Sequence, residues 1–216
     1  MRPRLSARLP DVPAADDINR ERRIEVTQPC AHGRRPLLAA LAAALACALA
    51  LVAAPAASAA RACDSANATP AKAGERKLVR ATLCLLNAQR AGEQLAPLLL
   101  DRRLSLAADR HTEDMVSRRY FSHESLDGSS FLDRIRRSGY LDDARSWRAG
   151  ENIAWGTGWR STPRSIVRAW MESSGHRANI LSSQFRHIGI GVARGAPAGG
   201  VGGPAGTYTT DFGSRG

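Results

Sequence analysis

The chain has 216 residues, and its 31 Lys or Arg against 20 Asp or Glu give a formal net charge of +11. This length allows one domain with additional segments. Most basic residues are arginines spread over predicted helix faces, without a dense block or interleaved aromatic residues, so the charge does not predict nucleic-acid binding. Loose attraction to anionic cell-envelope polymers is an equally general consequence of this charge.

The segment before residue 60 has the organisation of an export signal. Arg34 and Arg35 precede an apolar run over 37–52, and a triplet of small residues ends at Ala59. This order predicts a signal peptide over 34–59 that is cleaved after its last residue. The apolar run is shorter than the roughly 20 residues of a spanning helix, so a retained anchor is the alternative, and no stable membrane span is expected after cleavage.

The segments that flank this signal are polar and have no regular period. Residues 1–33 form a polar extension, which is either a long basic region of the signal or the product of a start codon assigned too far upstream. Residues 60–74 have the composition of a tail or linker. Cys63 and Cys84 are the cysteines that remain after cleavage. An oxidising compartment predicts a disulfide between them, with two free thiols as the alternative.

Helical signals dominate the next part of the chain. Apolar residues recur at helical spacing over 75–90 and over 101–119, and both segments are predicted to be helices. Asp101 is a favourable N-cap for the second helix. Ser130, with an aspartate three residues later, forms a capping box that opens a third, short helix. Residues 152–155 are mostly apolar and are predicted to form a short strand.

The remaining part of the chain carries one more helix and then strands. Thr162 followed by Pro163 predicts a helix start, and Gly175 is expected to end that helix before another short turn. Alternating apolar and small residues over 188–192 predict a strand, and residues 208–212 can pair with it in the antiparallel sense. Helices followed by mostly antiparallel strands predict a layered α+β fold.

Three side chains capable of catalysis lie in turns that contain glycine or serine, namely His123, Glu151 and His176. Two histidines and a carboxylate can hold a zinc ion with an open fourth position. They can also act as a general base and acid without metal, or they can brace loops through hydrogen bonds. His111 lies on the apolar face of the second predicted helix, where it is either a core histidine with a hydrogen-bond partner or a cleft residue.

Several other chemistries lack their sequence signatures. The chain contains no HExxH zinc-protease motif and no G-x-S-x-G nucleophile elbow. It also contains no P-loop and no dinucleotide-binding fingerprint. Serine-hydrolase chemistry and nucleotide phosphate chemistry are therefore not predicted.

Several short motifs follow one another in a fixed order between residues 76 and 213. They are Leu86-Asn87-Ala88-Gln89-Arg90, Ser122-His123, Gly150-Glu151-Asn152-Ile153-Ala154, Ser174-Gly175-His176-Arg177-Ala178-Asn179-Ile180-Leu181, and Tyr208 with Asp211-Phe212-Gly213. Together they resemble a bacterial, SCP-like CAP domain, the superfamily of cysteine-rich secretory, antigen five and pathogenesis-related proteins. The resemblance implies an α-β-α sandwich with a central antiparallel sheet over residues 75–216.

The resemblance also implies a cleft lined by two histidines and two acids. On matching positions the histidines are His123 and His176, and one acid is Glu151. The second acid, in eukaryotic relatives, lies three residues after a helix tryptophan, and Ser173 occupies that position here. Glu172 is one residue off and is expected to point away from the inward face of the helix. Three of the four members are therefore expected, with Glu172 or Ser173 as a doubtful fourth.

Proteins of this superfamily have been proposed to bind sterols or lipids, to bind divalent metal, to act as proteases and to work at cell walls. The first predicted function is a secreted, monomeric module that binds zinc or another divalent metal, or a cell-envelope polymer or lipid. The second is a metal-assisted hydrolase that acts on peptide or envelope polymer through the same residues. The third is a structural extracellular domain with a vestigial cleft. No other cofactor and no nucleic-acid partner are expected.

Overall fold

The structure is a computed structural model that describes residues 63–201 and 203–216. The polar extension and the signal peptide predicted before residue 60 lie outside the described residues. The elements, in chain order, are α1 (Glu75–Gly92), β1 (Leu99–Leu100), α2 (Arg102–Arg118), α3 (Phe131–Arg137), β2 (Trp147–Thr157), a 3₁₀ turn (Gly158–Ser161), α4 (Pro163–Glu172), α5 (Ser174–Ile180), β3 (His187–Arg194) and β4 (Ala205–Arg215). In this described part of the chain, no helix has the length and apolar character needed to cross a membrane.

The four strands form one sheet in the order β1-β3-β4-β2. β4 pairs antiparallel with both of its neighbours, and this register sets Asp211 opposite Glu151 on β2 and opposite Gly189 on β3. β1 pairs parallel with β3 through two residues only. The predicted α+β fold with a central antiparallel sheet is confirmed for three strands, and β1 adds a short parallel edge.

Helices cover both faces of the sheet, which gives the predicted α-β-α sandwich. On one face, α1, α4 and α5 bury a large core against the sheet that includes Leu85, Trp170 and Phe212. On the other face, α2 and α3 bury a smaller cluster around Leu104 and Ile135. Burial of such apolar side chains is the main stabilising contribution to the fold.

Two glycines of β3 allow α2 to lie directly against the sheet. A Cβ atom at Gly189 would lie 2.1 Å from the carbonyl carbon of Leu104, and one at Gly191 would lie 2.5 Å from the oxygen of Ala108. Any larger residue would therefore push α2 off the sheet. Glycine and apolar residues alternate along β3. The glycines therefore face α2, and the apolar side chains between them pack into the large core on the opposite face of the sheet.

The predicted helix starts are confirmed by their hydrogen bonds. The Asp101 side chain accepts bonds from the first turn of α2, Ser130 forms the expected capping box of α3, and Thr162 caps α4. Capping of this kind satisfies backbone N–H groups that have no partner inside the helix. The predicted break at Gly175 is wrong, because the chain leaves the helical conformation at Ser173 and Gly175 lies in the first turn of α5.

The strand predicted over 152–155 is longer in the structure, where β2 spans Trp147–Thr157. Its additional residues pair with the end of β4, which supplies a backbone partner that local sequence does not reveal.

The predicted disulfide between Cys63 and Cys84 is confirmed and closes a separation of 21 residues. It ties the N-terminal segment of the described chain to α1.

Candidate functional site

The centre of the candidate site is the carboxylate of Glu151, in the middle of β2. Its side chain is only 1% exposed, and each of its oxygens has a charged or polar partner. His123 Nδ1 lies 2.7 Å from Oε1, and Arg134 Nη2 lies 2.6 Å from Oε2. Because a carboxylate only accepts hydrogen bonds, His123 must donate from Nδ1. The neutral His123 ring therefore carries its lone pair on Nε2, on a side chain that is half exposed.

Arg134 links this carboxylate to the segment between α2 and α3 that carries His123. Its Nη2 also donates to the His123 carbonyl oxygen at 3.0 Å, while Nη1 donates to Ser125 Oγ at 3.0 Å and to the Ser129 carbonyl oxygen at 3.2 Å. The guanidinium group is almost completely buried. Arg134 therefore fixes the position of the loop as well as the charge of Glu151. Sequence reasoning missed it.

The partners of Glu151 decide its protonation state. Burial opposes ionisation, but the hydrogen bond from His123 and the charge of Arg134 outweigh burial and lower the pKa of Glu151. Asp211, directly opposite on β4, is fully buried, and in its protonated form it can donate a hydrogen bond to Glu151. Burial and then the negative charge of Glu151 raise the pKa of Asp211 well above its usual value. The protonated form of Asp211 is thus favoured beside the ionised Glu151.

His176 lies in α5, which is docked next to Glu151 through amide side chains. Asn152 Nδ2 donates to the His176 carbonyl oxygen at 3.1 Å, and Asn179 Nδ2 donates to the Glu151 carbonyl oxygen at 3.2 Å. Burial, followed by the charge of His123, lowers the pKa of His176, so its imidazole is neutral near pH 7. Within the described residues the His176 ring makes no hydrogen bond, and both histidines therefore retain a nitrogen that can bind a ligand.

The remaining candidates from the sequence lie elsewhere. Glu172 is 71% exposed on α4, where its carboxylate pairs with Arg168 at 3.8 Å and not with the two histidines. Ser173 lies in the extended junction between α4 and α5. His111 is buried and donates from Nε2 to the Ser122 carbonyl oxygen at 3.0 Å. His111 therefore takes the structural role left open by the sequence.

Among the predicted site residues, His123 and His176 each have a ring nitrogen that is not engaged. No group of three His, Cys, Asp or Glu side chains is arranged to hold a metal ion in the described part of the chain. Both oxygens of Glu151 are already engaged, whereas His123 Nε2 and the His176 ring are free to coordinate. Glu151 is thus placed as the carboxylate that orients a histidine ligand through its second nitrogen.

Two relatives from Bacillus subtilis (strain 168) are similar to about half of the chain. The uncharacterized protein YkwD is 41% identical over 117 residues, which are 54% of this chain and 41% of that protein. The uncharacterized membrane protein YlbC is 38% identical over 112 residues, which are 52% of this chain and 30% of that protein. The chain therefore spans less than half the length of either relative.

The fold also matches a solved structure. An extracellular protein from Bacillus anthracis str. Ames that contains an SCP domain superposes with a TM-score of 0.53 and 30% identity, covering 64% of this chain and 40% of that chain. Residues 83–209, more than half of the chain, match the cysteine-rich secretory protein family, and this range includes His123, Glu151 and His176. Together with the sandwich fold, this match shows that the chain belongs to the cysteine-rich secretory protein, or CAP, family.

Proposed function

We propose that the chain is an exported CAP-domain protein that binds a divalent metal ion through His123 and His176. The observation that carries this proposal is the 2.7 Å contact from His123 Nδ1 to Glu151 Oε1, which leaves Nε2 on a half-exposed ring. A carboxylate that accepts a hydrogen bond from the other nitrogen is the usual partner of a metal-bound imidazole, and it increases the basicity of the ligand. His176 supplies a second neutral imidazole.

Arg134 and Glu151 prepare this site before any ligand arrives. The charge of Arg134 favours the ionised carboxylate, and its bonds to the loop hold the His123 backbone in place. Such preorganisation lowers the cost of ordering the ligand side chains. A divalent ion on two imidazoles would offer its open positions to oxygen ligands, such as those of a cell-envelope polymer or a lipid headgroup.

Three observations support export of the protein. They are the signal-like segment over 34–59, the disulfide between Cys63 and Cys84, and the similarity of the chain to an extracellular protein with an SCP domain. Disulfides persist in oxidising compartments outside the cytosol. N-terminal sequencing of the protein recovered from culture medium tests this part of the proposal. The expected first residue is Ala60, and a chain that stays in the membrane fraction with residues 1–59 attached contradicts it.

Zinc titration by calorimetry near neutral pH tests the metal site. One zinc ion per chain is expected, and His123→Ala and His176→Ala should each lower the affinity by about tenfold or more, because each removes one of two ligands. His187→Ala is the matched control, since the His187 ring accepts a hydrogen bond from Tyr140 or donates one to it at 2.8 Å, outside the site. Heat no different from that of dilution into buffer rejects the metal proposal.

The competing function, a metal-assisted hydrolase of peptide or envelope polymer, can be tested on the same protein. The Glu151 side chain is 1% exposed and its pKa is lowered, so this carboxylate is a poor acceptor for a proton from water. Zinc-loaded protein is therefore expected to release no product from a quenched fluorogenic peptide library. Peptide hydrolysis by the wild-type protein that disappears in His123→Ala would support the hydrolase function and reject the proposal of binding alone.

A further inference from the structure

A cavity lies between α2 and α3, and none of His123, Glu151 and His176 lines it. Its volume is about 240 Å³, and its walls come from the two helices and from the segment that connects them. Arg134 is the residue that this cavity shares with the site described above. The cavity thus has its own set of side chains and can bind a ligand independently of any metal at the two histidines.

The charge of the cavity walls is positive. Four arginines and two aspartates line it, and because Arg134 is paired with Glu151, three arginines against two aspartates leave an excess of one positive charge. Asp114 is already engaged, because it accepts a hydrogen bond from Tyr120 and lies 3.6 Å from Arg118. In contrast, the Arg110 side chain makes no hydrogen bond or ion pair with any other described residue. Arg137 donates only to Ser129 Oγ, at 3.0 Å. These two guanidinium groups remain available to an anion.

Two of the lining residues also carry buried polar atoms that lack a partner. Arg134 Nε and His111 Nδ1 are inaccessible to solvent and make no hydrogen bond in the described part of the chain. Because His111 donates from Nε2 to a carbonyl oxygen, its Nδ1 is an acceptor, whereas Arg134 Nε–H is a donor. Of these two atoms, only the Arg134 Nε–H donor suits an anion, whereas the His111 Nδ1 lone pair can pair only with a hydrogen-bond donor, such as a protonated ligand oxygen.

We propose that this cavity binds a small oxyanion of the phosphate class, either inorganic phosphate or the phosphate group of a small monoester. The planar guanidinium forks of Arg110 and Arg137 match the geometry of phosphate oxygens. The hydroxyl group of Ser125 adds a neutral hydrogen-bond donor to the wall, whereas that of Ser138 already donates to the Ile135 carbonyl oxygen at 2.7 Å. At about 240 Å³ the cavity is smaller than a typical drug-sized pocket, so the organic part of an ester must be short.

Calorimetric titration with inorganic phosphate at constant ionic strength tests this proposal. The wild-type protein should bind phosphate, and Arg110→Gln and Arg137→Gln should each weaken binding by about tenfold, because each loses a charge-assisted hydrogen bond. Both side chains are exposed, and neither belongs to the His123 and Glu151 site. Arg102→Gln is the matched control, because Arg102 is an exposed arginine of the same helix α2 that does not line the cavity.

Each outcome of this experiment is decisive. Absence of phosphate binding at millimolar concentration overturns the proposal, as does equal weakening by Arg102→Gln, which would indicate a general charge effect. Acetate that binds as tightly as phosphate also overturns the assignment to the phosphate class. Titration with methyl phosphate distinguishes a monoester ligand from free phosphate. An affinity for methyl phosphate similar to that for inorganic phosphate supports a monoester ligand, and binding of inorganic phosphate alone supports the free anion. Amide chemical-shift changes in the phosphate titration should centre on Arg110, Ser125 and Ser138.

Discussion

Arg134→Met is the substitution that perturbs the candidate site most directly. The side chain of Arg134 is 7% exposed and that of Glu151 is 1% exposed, with 2.6 Å between Nη2 and Oε2. Removing one partner of a buried pair leaves an uncompensated charge and costs about 3–5 kcal/mol. A domain of this size is stable by about 5–15 kcal/mol, so the variant is expected to fold but to unfold at much lower denaturant concentration.

Urea denaturation with the disulfide intact measures this cost, and its pH dependence tests the cause. The pKa of folded Glu151 lies below its usual value because His123 and Arg134 outweigh burial. The stabilising effect of a depressed acid pKa is present above the unfolded-state pKa and is lost as the pH falls through the folded-state pKa. The difference between wild type and Arg134→Met should therefore shrink as the pH is lowered into the range where Glu151 is protonated.

A double-mutant cycle isolates the pair from other effects of the substitution. In the presence of Glu151→Gln, Arg134→Met should cost clearly less, with a coupling free energy of about 2 kcal/mol or more. Arg136→Met is the matched control on the same helix, because Arg136 is exposed and its contact to Asp133 is 3.5 Å. A coupling free energy near zero, or equal destabilisation by the two arginine substitutions, refutes the reasoning.

Three further predictions concern the scaffold and are all measured by urea or thermal unfolding. Gly189→Ala should destabilise by about 3 kcal/mol, because its Cβ would lie 2.1 Å from a backbone carbon of α2, whereas Gly199→Ala meets open space and should be neutral. Replacement of Cys63 and Cys84 by serine should cost about 3 kcal/mol for a separation of 21 residues. Burial and two nearby acids raise the pKa of Asp109 to about 7, so the contribution of its protonated carboxyl group to stability is lost as the pH rises from about 4 to 7. Asp109→Asn should be more stable above that range, on the order of 1 to 2 kcal/mol after allowance for solvent screening, and equal to wild type near pH 4. Equal stability of the two glycine variants, of the cysteine-to-serine variant and wild type, or of Asp109→Asn and wild type both near pH 4 and above pH 7 contradicts the corresponding prediction.

Local signals in the sequence predicted the helix starts of this fold. The caps at Asp101, Ser130 and Thr162 act through hydrogen bonds within three residues, so they can be recognised without knowledge of the tertiary structure. The end of α4 could not be placed in the same way. Gly175 is the obvious breaker, but the chain bends at Ser173, where α5 turns to dock on β2.

The candidate site was predictable only in part, because its contacts join distant residues. His123 and Glu151 were identified, yet Arg134 was not, although it holds the carboxylate. Arg134, Arg136 and Arg137 look alike in the sequence, and only the docking of α3 on the sheet decides which of them is buried. Asp211 lies opposite Glu151 because of the register between β4 and β2. An alternating pattern does not fix this register, since a shift of two residues keeps every side chain on the same face of the sheet.

In the proposed site, Glu151 fixes the tautomer of His123 and leaves Nε2 free for a ligand. Nitrogen-15 NMR of the imidazole rings near pH 8, where an ordinary histidine is neutral, tests it directly. The expected result is a proton on His123 Nδ1 and an unprotonated Nε2, with this preference lost in Glu151→Gln. A proton on Nε2 in the wild-type protein, or a tautomer that Glu151→Gln does not change, contradicts the claim.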